Sequence, residues 1–208
     1  MKSSESLRGL ILVMIGPGGA GKNAIMKAII KHYANIRQLA TATTRDMRSD
    51  EKQGREHVFV SRQQFKAMIA RGELLEHQEV TPGKFYGIPR QTVADGLKNA
   101  EVRIADIEVL GAEKLARAYP ENVVQVFVTV PGETIDEQSK VLEGRMRQRA
   151  DGATDIHHRL ERARTLELPY QSQCDYVVVN GTLAGAISST RAIVEEELSR
   201  RGLPGAPL

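Results

Sequence analysis

The sequence predicts an α/β protein, with a parallel sheet flanked by helices and an inserted subdomain rich in strands. Two observations support this fold class. Apolar runs alternate with stretches of helical periodicity at both ends of the chain, which is typical of parallel strands joined by right-handed crossovers. Between them, residues 43–90 contain strand-like runs and one short helix. We therefore expect a core formed by residues 1–42 and 91–208, with residues 43–90 inserted into it.

The expected elements follow from hydrophobic periodicity and from turn residues. Strands are predicted over residues 10–15, 37–43, 57–60, 74–80, 102–108, 123–130 and 175–179. Helices are predicted over residues 24–30, 65–71, 92–99, 112–118, 135–149, 155–168 and 183–199. Ser61 and Gln64 form a capping-box pattern before the second helix, and residues 202–208 are expected to form a disordered tail.

Composition disfavours several classes of function. The chain has 208 residues, of which 41% are hydrophobic, enough for one α/β domain with an insertion. A net charge of +3, no tryptophan and 4% aromatic residues give little support for nucleic-acid binding. Cys174 is the only cysteine, so an internal disulfide is impossible and a cysteine-based metal site is disfavoured. The first apolar run is too short to span a membrane and is broken by glycines, so we expect a cytoplasmic protein without membrane partners.

A glycine-rich loop follows the first predicted strand and precedes the first predicted helix. Residues 16–22 have the spacing of a P-loop that ends in Lys22. Glycines let successive backbone N–H groups converge on a phosphate, the helix N-terminus adds partial positive charge, and the lysine supplies a full charge. Because spacing and context both match, a purely structural turn is the less favoured interpretation. We expect a P-loop NTPase-type sheet whose loop binds the phosphates of ATP through Gly16, Gly18, Gly19, Ala20, Gly21, Lys22, Asn23 and Ala24.

The residue after the lysine departs from the usual P-loop pattern. That pattern has Ser or Thr, whose hydroxyl holds Mg²⁺, whereas this chain has Asn23. A carboxamide oxygen can bind a hard cation or hold one of its waters. Asn23 is therefore the candidate magnesium ligand.

Two groups of arginines are candidates for binding further phosphates. Arg45 and Arg48 lie in a polar loop, and a planar guanidinium pairs bidentately with phosphate oxygens. Arg145 and Arg149 are four residues apart, so they share one face of a predicted helix. The alternative interpretations are a solvated connecting loop and a solvated basic helix, both of which are common.

The chain resembles the guanylate kinase family over residues 9–197, most of its length. Each matching motif is weak alone, but together they stand in the family's order and spacing. The motifs are the P-loop and residues 41–48, 54–60, 72–77, 86–87, 106–111, 145–149, 159–160 and 175–180.

The resemblance implies phosphoryl transfer from ATP to a nucleoside monophosphate, normally GMP, with Mg²⁺ as cofactor and small-molecule nucleotides as partners. Residues 43–90 would bind the monophosphate, and residues 145–160 would form a helical lid over ATP. The implied catalytic residues are Lys22, Arg45, Arg145, Arg149 and Arg159. The implied GMP-binding residues are Thr41, Arg45, Arg48, His57, Glu76, Tyr86 and Asp106, with Asn180 on the adenine side. Neither the residues nor the resemblance decides between a monomer and a homodimer.

Glu76 also suits the base on chemical grounds. A carboxylate accepts hydrogen bonds from the two N–H donors that guanine presents and adenine lacks. The alternative is a surface acid on an edge strand. The sequence therefore makes Glu76 the candidate for acceptor selectivity.

The chain departs from the family's pattern at several positions. His57 stands where the family has a phosphate-binding tyrosine, and Ile88 replaces a Ser or Thr that could contact the guanine oxygen. Gly18 replaces a loop serine, Asn23 and Ala24 replace a small or hydroxyl pair, Glu108 replaces an Asp, and Leu110 replaces a Gln. These departures bear on acceptor specificity and on rate more than on the fold.

Two other functions are open to a chain with these motifs. A kinase of the same fold could phosphorylate ribose 1,5-bisphosphate, since such enzymes also vary the residue after the P-loop lysine. They would not be expected to keep Glu76 or the Thr-Thr-Arg-x-x-Arg pattern of residues 43–48. A binding module that resembles guanylate kinase without catalysis would have lost the charges of the P-loop and lid, whereas Lys22 and the lid arginines are present.

Overall fold

The computed structural model describes residues 7–49, 51–81, 83–149 and 152–205. These residues form two compact units. The first unit lies within residues 1–12, 35–105 and 110–123, and the second within residues 13–34, 106–109 and 124–208. Pro82, part of a predicted turn, and the tail residues 206–208 lie outside the described residues.

Strands and helices alternate along most of the chain. The strands are β1 Leu10–Ile15, β2 Ile36–Gln38, β3 Thr41–Thr43, β4 His57–Phe59, β5 Leu74–Thr81, β6 Lys84–Pro89, β7 Val102–Asp106, β8 Val123–Thr129 and β9 Tyr176–Val179. The helices are α1 Lys22–His32, α2 Arg62–Ala70, α3 Arg90–Lys98, α4 Val109–Ala118, α5 Ile135–Gln148, α6 Ala153–Arg162 and α7 Leu183–Arg201. A π-helical turn, Ala163–Glu167, and a 3-10 helix, Leu168–Gln173, follow α6.

The larger sheet has five strands in the order β2-β7-β1-β8-β9. Its outer pairs are parallel, with Ile36 opposite Val102 and Val126 opposite Tyr176. All six residues of β1 are buried, as expected for the middle strand of a sheet covered on both faces. The order places β1 at the centre, so the P-loop that follows it emerges at the carboxyl edge of the sheet.

The smaller sheet has four strands in the order β4-β3-β6-β5 and belongs to the first unit. Strands β3 and β4 are parallel, whereas β6 pairs antiparallel with both β3 and β5. Its core consists of Ala42, Phe65 and Leu74. Helix α2 begins at the predicted capping box, in which the Ser61 hydroxyl accepts from the Gln64 N–H and the Gln64 side chain bonds back to Ser61.

Three element predictions are corrected. The single strand predicted over residues 37–43 is two strands, β2 and β3, which belong to different sheets. The Leu39 N–H still bonds to the Ile104 carbonyl beside β2, and the chain then leaves that sheet. Periodicity cannot show where an extended chain changes sheets, because both parts have the same two-residue repeat.

The other corrections concern element ends. The strand predicted over 102–108 ends at Asp106, because α4 already begins at Val109. The helix predicted over 155–168 is α-helical only to Arg162 and continues as the π-helical turn. Pro169 lies in the first turn of the following 3-10 helix, where its missing N–H is tolerated, whereas it could not continue the α-helical bonding of α6.

No helix within the described residues is long and apolar enough to cross a membrane.

We predict that Phe65→Ala destabilises the protein by about 3–5 kcal/mol, because it leaves a cavity in the core of the four-stranded sheet. For a chain of this size this corresponds to a fall of about 6–20 °C in the melting temperature, measured by thermal unfolding. Lys66→Ala, at an exposed neighbouring position, is the control and should change stability by less than about 0.5 kcal/mol. Equal effects of the two substitutions would contradict the packing of Phe65.

Candidate functional site

The P-loop connects β1 to α1 and requires glycine at three positions. Gly16, Gly19 and Gly21 have φ values of 135°, 94° and 97°, which side chains strongly disfavour. At Gly16 a Cβ atom would lie 2.1 Å from the Val128 carbonyl oxygen of β8. Only glycine therefore allows the loop backbone to lie this close to the sheet.

The start of α1 suits an anion. Gly21 precedes the helix, and no side chain forms a capping hydrogen bond there. The first turn contains no acidic residue, and Asn23 and Ala24 are exposed within it. Backbone N–H groups and the helix dipole together favour a phosphate at such a position.

Lys22 folds back over its own loop. Its Nζ atom donates to the Gly16 carbonyl oxygen at 2.5 Å and lies 3.4 Å from the Pro17 carbonyl oxygen. The same atom is 3.7 Å from Oδ1 of Asp106, the last residue of β7. The structure thus brings Asp106, a predicted GMP contact, together with the P-loop lysine in the second unit.

Asn180 supports the loop from the end of β9. Its side-chain amide donates to the Ala20 carbonyl oxygen at 2.7 Å, and its backbone N–H donates to the Thr129 carbonyl oxygen at 2.8 Å. Its own carbonyl oxygen accepts from Arg145 Nη2 at 2.6 Å. The side-chain amide of Asn180, predicted on the adenine side, is therefore engaged with the P-loop backbone, while the backbone carbonyl of the same residue fixes Arg145 of the predicted lid.

The other predicted lid arginines belong to the second unit, one just after α5 and one on α6. Arg149 follows the last residue of α5, and its N–H donates to the Arg145 carbonyl oxygen at 3.3 Å. Arg159 lies on α6, and its Cδ atom is 3.6 Å from the position that a Gly18 Cβ would occupy. Arg159 therefore lies beside the P-loop at Gly18.

In the first unit, strand pairing brings Thr41 and His57 together. The two residues are register partners in β3 and β4, and Thr41 Oγ1 is 2.8 Å from His57 Nδ1. The His57 ring packs edge-on against the Tyr86 and Phe59 rings, with ring centroids 5.9 and 5.6 Å away. Burial, and then the positive charge of Arg45, lower the pKa of His57. Both effects favour the neutral imidazole.

Arg45 is held in place by Glu51. The guanidinium donates to both carboxylate oxygens, at 2.7 and 2.5 Å, and lies 5.4 Å from the centre of the Phe59 ring. The Arg48 N–H donates to the same carboxylate at 2.9 Å. The bond from Arg45 lowers the pKa of Glu51 to about 2, against the opposing effect of burial. Glu51 raises the pKa of Arg45 in turn, and Tyr86 also acts in this direction.

Sequence reasoning did not include Glu51 among the site residues. The available signal was its place within the same polar loop, six positions after Arg45, but loop acids are usually solvated. Its side chain is only 10% exposed. Arg48, by contrast, is exposed.

Glu76 is 5% exposed, so it is a buried acid rather than a surface acid on an edge strand. It lies on β5 opposite Ile88 of β6, which is itself buried. Burying a carboxylate costs several kcal/mol unless polar groups compensate its charge. Buried acids of this kind are common at sites that recognise a ligand. The structure therefore places a carboxylate beside an apolar residue in the interior of the first unit.

Comparison with known proteins identifies the family. The model of the guanylate kinase family, described as "Guanylate kinase", matches residues 8–197. The chain belongs to the guanylate kinase family.

Named relatives and a solved structure agree with this. The chain is 34% identical to a protein of Salinibacter ruber named guanylate kinase, over 91% of this chain and 97% of the relative. It is 36% identical to one of Halalkalibacterium halodurans with the same name, over 95% of this chain and 93% of the relative. The crystal structure of guanylate kinase from Anaplasma phagocytophilum matches with a TM-score of 0.66 and 28% identity, covering 92% of this chain and 87% of that chain. The resemblance drawn from the motifs and the predicted fold class are both confirmed.

Glu108, one of the departures from the guanylate kinase pattern, forms an ion pair in the structure. The family has an Asp at this position, and the partner of Glu108 is Arg162 at the end of α6. Arg162 Nε also lies 3.3 Å from Oε1 of Glu167, which the π-helical turn carries and which is 7% exposed. Burial raises the pKa of Glu167 to about 7, while the positive charge of Lys22 opposes this.

No sequence pattern predicted that Glu108, Arg162 and Glu167 interact. Arg162 and Glu167 lie in an amphipathic stretch where most charges are solvated, and the π-helical turn that buries Glu167 has no sequence signature. Because Arg162 joins the end of α6 to the residues after β7, it stabilises one position of the predicted lid helix.

We predict that Glu51→Gln lowers stability by about 2 kcal/mol at pH 7, because it removes a charge-assisted pair with Arg45. The folded-state pKa of Glu51 is depressed from 4.5 to about 2. Its stabilisation is therefore fully present above pH 4.5 and is lost as the pH falls through 4.5 towards 2. Urea unfolding at several pH values should show that the difference in the free energy of unfolding between wild type and Glu51→Gln becomes smaller over this range.

Glu73→Gln is the control, because Glu73 is exposed and pairs with Arg71 two residues away. Its effect should stay within about 0.5 kcal/mol at pH 7. A difference between wild type and Glu51→Gln that stays constant between pH 7 and pH 3 would show that the charge of Glu51 does not stabilise the fold.

Proposed function

We propose that the protein transfers the γ-phosphoryl group of ATP to GMP, forming ADP and GDP. The observation that carries the proposal is the P-loop with Lys22 in a chain of the guanylate kinase family. Both compact units contribute candidate groups. The second unit holds the groups suited to ATP, and the first unit holds most of those suited to the acceptor.

Lys22 is proposed to exchange its present partners for phosphate oxygens. In the structure its ammonium group is satisfied by the Gly16 carbonyl and by the nearby Asp106 carboxylate. Phosphate oxygens carry more charge than a carbonyl, so they compete effectively for the ammonium. This exchange would leave Asp106 near the phosphates, where a carboxylate can hold waters of a bound cation.

The lid arginines are proposed to neutralise charge that develops during transfer. Phosphoryl transfer depends mainly on positioning and on positive charge around the transferred group. Arg159 already lies beside Gly18, and Arg145 is fixed by Asn180. We assign Arg149 to the same task because it follows α5 one turn after Arg145. Residues 145–160, of which 150 and 151 are not described, are proposed to be the lid that excludes water.

The acceptor is proposed to bind to residues 43–90, which contain most of the four-stranded sheet. Arg45, His57 and Tyr86 lie together and can donate to the acceptor phosphate, with Arg48 as a fourth donor. Thr41 takes part through its contact with His57. Glu76 is assigned to the guanine N–H donors. The buried Ile88 opposite it offers no hydrogen bond to the guanine oxygen, so Glu76 carries more of the selectivity.

Mg²⁺ is part of the proposal and fits the residues present. Magnesium usually keeps several waters and is held by few protein groups together with substrate phosphates. Within the described residues no cluster of three or more His, Cys, Asp or Glu is arranged for a metal, which is compatible with that mode of binding. Asn23, exposed in the first turn of α1, offers the carboxamide oxygen. When bound, the ion would neutralise charge on the β- and γ-phosphates.

We also propose a cytoplasmic location, which the sequence predicts because the first apolar run is too short to span a membrane and is broken by glycines. Ribose 1,5-bisphosphate is a less favoured acceptor, since the buried Glu76 has no evident role toward a sugar phosphate. A non-catalytic binding module is also less favoured, because Lys22 and Arg159 lie together at the P-loop.

Measurement of ADP release with ATP and Mg²⁺ tests the proposal directly. The acceptors are GMP, dGMP, AMP, UMP, CMP and ribose 1,5-bisphosphate. We expect turnover with GMP well above that with AMP. Turnover with ribose 1,5-bisphosphate alone would show that this compound, and not GMP, is the acceptor. Calorimetric binding of GMP without turnover for any acceptor would indicate a binding module.

We predict that Lys22→Ala lowers kcat by about 100- to 1,000-fold or more, because it removes a full charge from the transferred phosphate. GMP affinity, measured by calorimetry, should change little, since most of the candidate acceptor groups lie in the first unit. The control is Lys27→Ala, an exposed position on the same helix. A comparable loss of kcat in both variants would remove Lys22 from its assigned role.

We predict that Glu76→Gln lowers kcat/KM for GMP by about 100-fold while leaving the value for AMP nearly unchanged. The carboxamide keeps the shape of the side chain but can no longer accept from both guanine donors. Glu79→Gln, exposed on the same strand, is the matched control. Unchanged selectivity of Glu76→Gln for GMP over AMP would exclude Glu76 from the base site.

A further inference from the structure

His57 is placed to interact with an anion through one nitrogen while the other is already engaged. Its Nδ1 atom is 2.8 Å from the Thr41 hydroxyl, so Nε2 is the nitrogen that a ligand would meet. In a neutral imidazole one ring nitrogen donates and the other accepts, whereas in the imidazolium both donate. The Thr41 hydroxyl can serve either state, because it donates as well as accepts.

The surroundings of His57 contain charges of both signs. From the loop before β4, Arg45, Glu51 and Glu56 act on the imidazole. From the neighbouring strands, Thr41 of β3 and Tyr86 of β6 contact it directly. Burial and the Arg45 charge disfavour the imidazolium, and the two carboxylates only partly offset them. These surroundings favour the neutral form of His57 before a ligand binds.

Binding of a phosphate monoester would change this balance. The group carries a charge of about −1.5 to −2 at pH 7. The charge of Arg45 is already shared with Glu51 through two hydrogen bonds, so the added anion is not fully neutralised by that arginine. An opposite charge within a few ångströms favours the protonated form of histidine.

We infer that His57 takes up a proton when the acceptor phosphate binds, so that the imidazolium donates to the phosphate from Nε2 and to Thr41 from Nδ1. The inference rests on the proposed function, because it needs a phosphate at Arg45, His57 and Tyr86. The proton comes from solvent and stays on the ring until the nucleotide leaves. The ring N–H bond forms as the bond between this proton and the hydronium ion or buffer acid that supplied it breaks, and no other covalent bond changes.

A tyrosine at this position would behave differently. A phenol donates a hydrogen bond without changing charge near neutral pH, since its ordinary pKa is about 10. The guanylate kinase family resembled by this chain has tyrosine where His57 stands. His57→Tyr therefore keeps a donor and removes the proton uptake, which makes it the matched variant.

The direction of the pH dependence follows from linkage. Below the pKa of free His57 the ring is already charged, and binding takes up no further proton there. Above the pKa of the bound form the ring stays neutral, and affinity reaches its lower plateau. Between these two values the dissociation constant for GMP rises with pH, by up to about tenfold per pH unit for one proton.

Isothermal titration calorimetry at pH 8 in buffers of different ionisation enthalpy measures the proton uptake. At this pH the phosphate of GMP is already a dianion, since its second pKa is about 6. The ligands are GMP and guanosine, which lacks the phosphate. The proteins are wild type, His57→Tyr, His57→Gln and the control His32→Gln, which removes a histidine at the end of α1.

Wild type and His32→Gln should take up protons, at most one per site, with GMP and none with guanosine. His57→Tyr and His57→Gln should take up none with either ligand. In long-range ¹H–¹⁵N spectra of the wild type, both ring nitrogens of His57 should shift to imidazolium values when GMP is added. This second measurement uses the wild type alone, so it does not depend on whether the variants fold.

These measurements distinguish failure of the inference about His57 from failure of the proposed function. If GMP binds and is turned over but wild type and His57→Tyr take up the same number of protons, the inference is overturned and the proposed function stands. If GMP neither binds nor supports turnover in the wild type, the proposed function is overturned and the inference with it.

Discussion

The close contact between Gly16 and strand β8 is the constraint on which the second unit depends. The loop backbone lies where a Cβ atom would meet the Val128 carbonyl oxygen at 2.1 Å, so the chain turns here only with glycine. Asn180 then fastens the loop from β9 by bonding to the Ala20 carbonyl. With the loop held at both ends, the start of α1 and the Lys22 ammonium are fixed relative to the sheet edge. Phosphate binding at this edge requires that rigidity, because its donors are mostly backbone groups.

Carboxylates hold Arg45 in the first unit and Arg162 in the second. Glu51 binds Arg45 through two hydrogen bonds, and Glu108 and Glu167 flank Arg162 at the end of α6. A guanidinium held in advance loses less rotational freedom when an anion arrives, which lowers the cost of binding. It also needs no reorientation as charge develops during a reaction. The cost is a weaker net positive charge at each arginine, since each carboxylate cancels part of it.

The proposed acceptor residues of the first unit show how a departure from a family pattern changes the chemistry of a candidate site. Ile88 removes a hydroxyl beside the buried Glu76 and leaves an apolar neighbour. His57 brings a group whose charge can change near neutral pH, whereas the phenol of a tyrosine stays neutral there. Under the proposed function, the two replacements act on different parts of the acceptor. The first would concern the base and therefore selectivity, and the second would concern the phosphate and therefore the pH dependence of binding.

The sequence by itself determined the α/β class, the P-loop and the family, because these rest on local patterns of glycines, apolar runs and motif order. It also indicated Lys22, Arg45 and Glu76 as candidates. Only the tertiary structure decided that the run 37–43 serves two sheets and that Asn180 bonds to the P-loop. The partners of Arg45 and Arg162 were likewise decided by folding. Burial and ion pairing depend on residues distant in the chain, and a two-residue or 3.6-residue repeat carries no information about them.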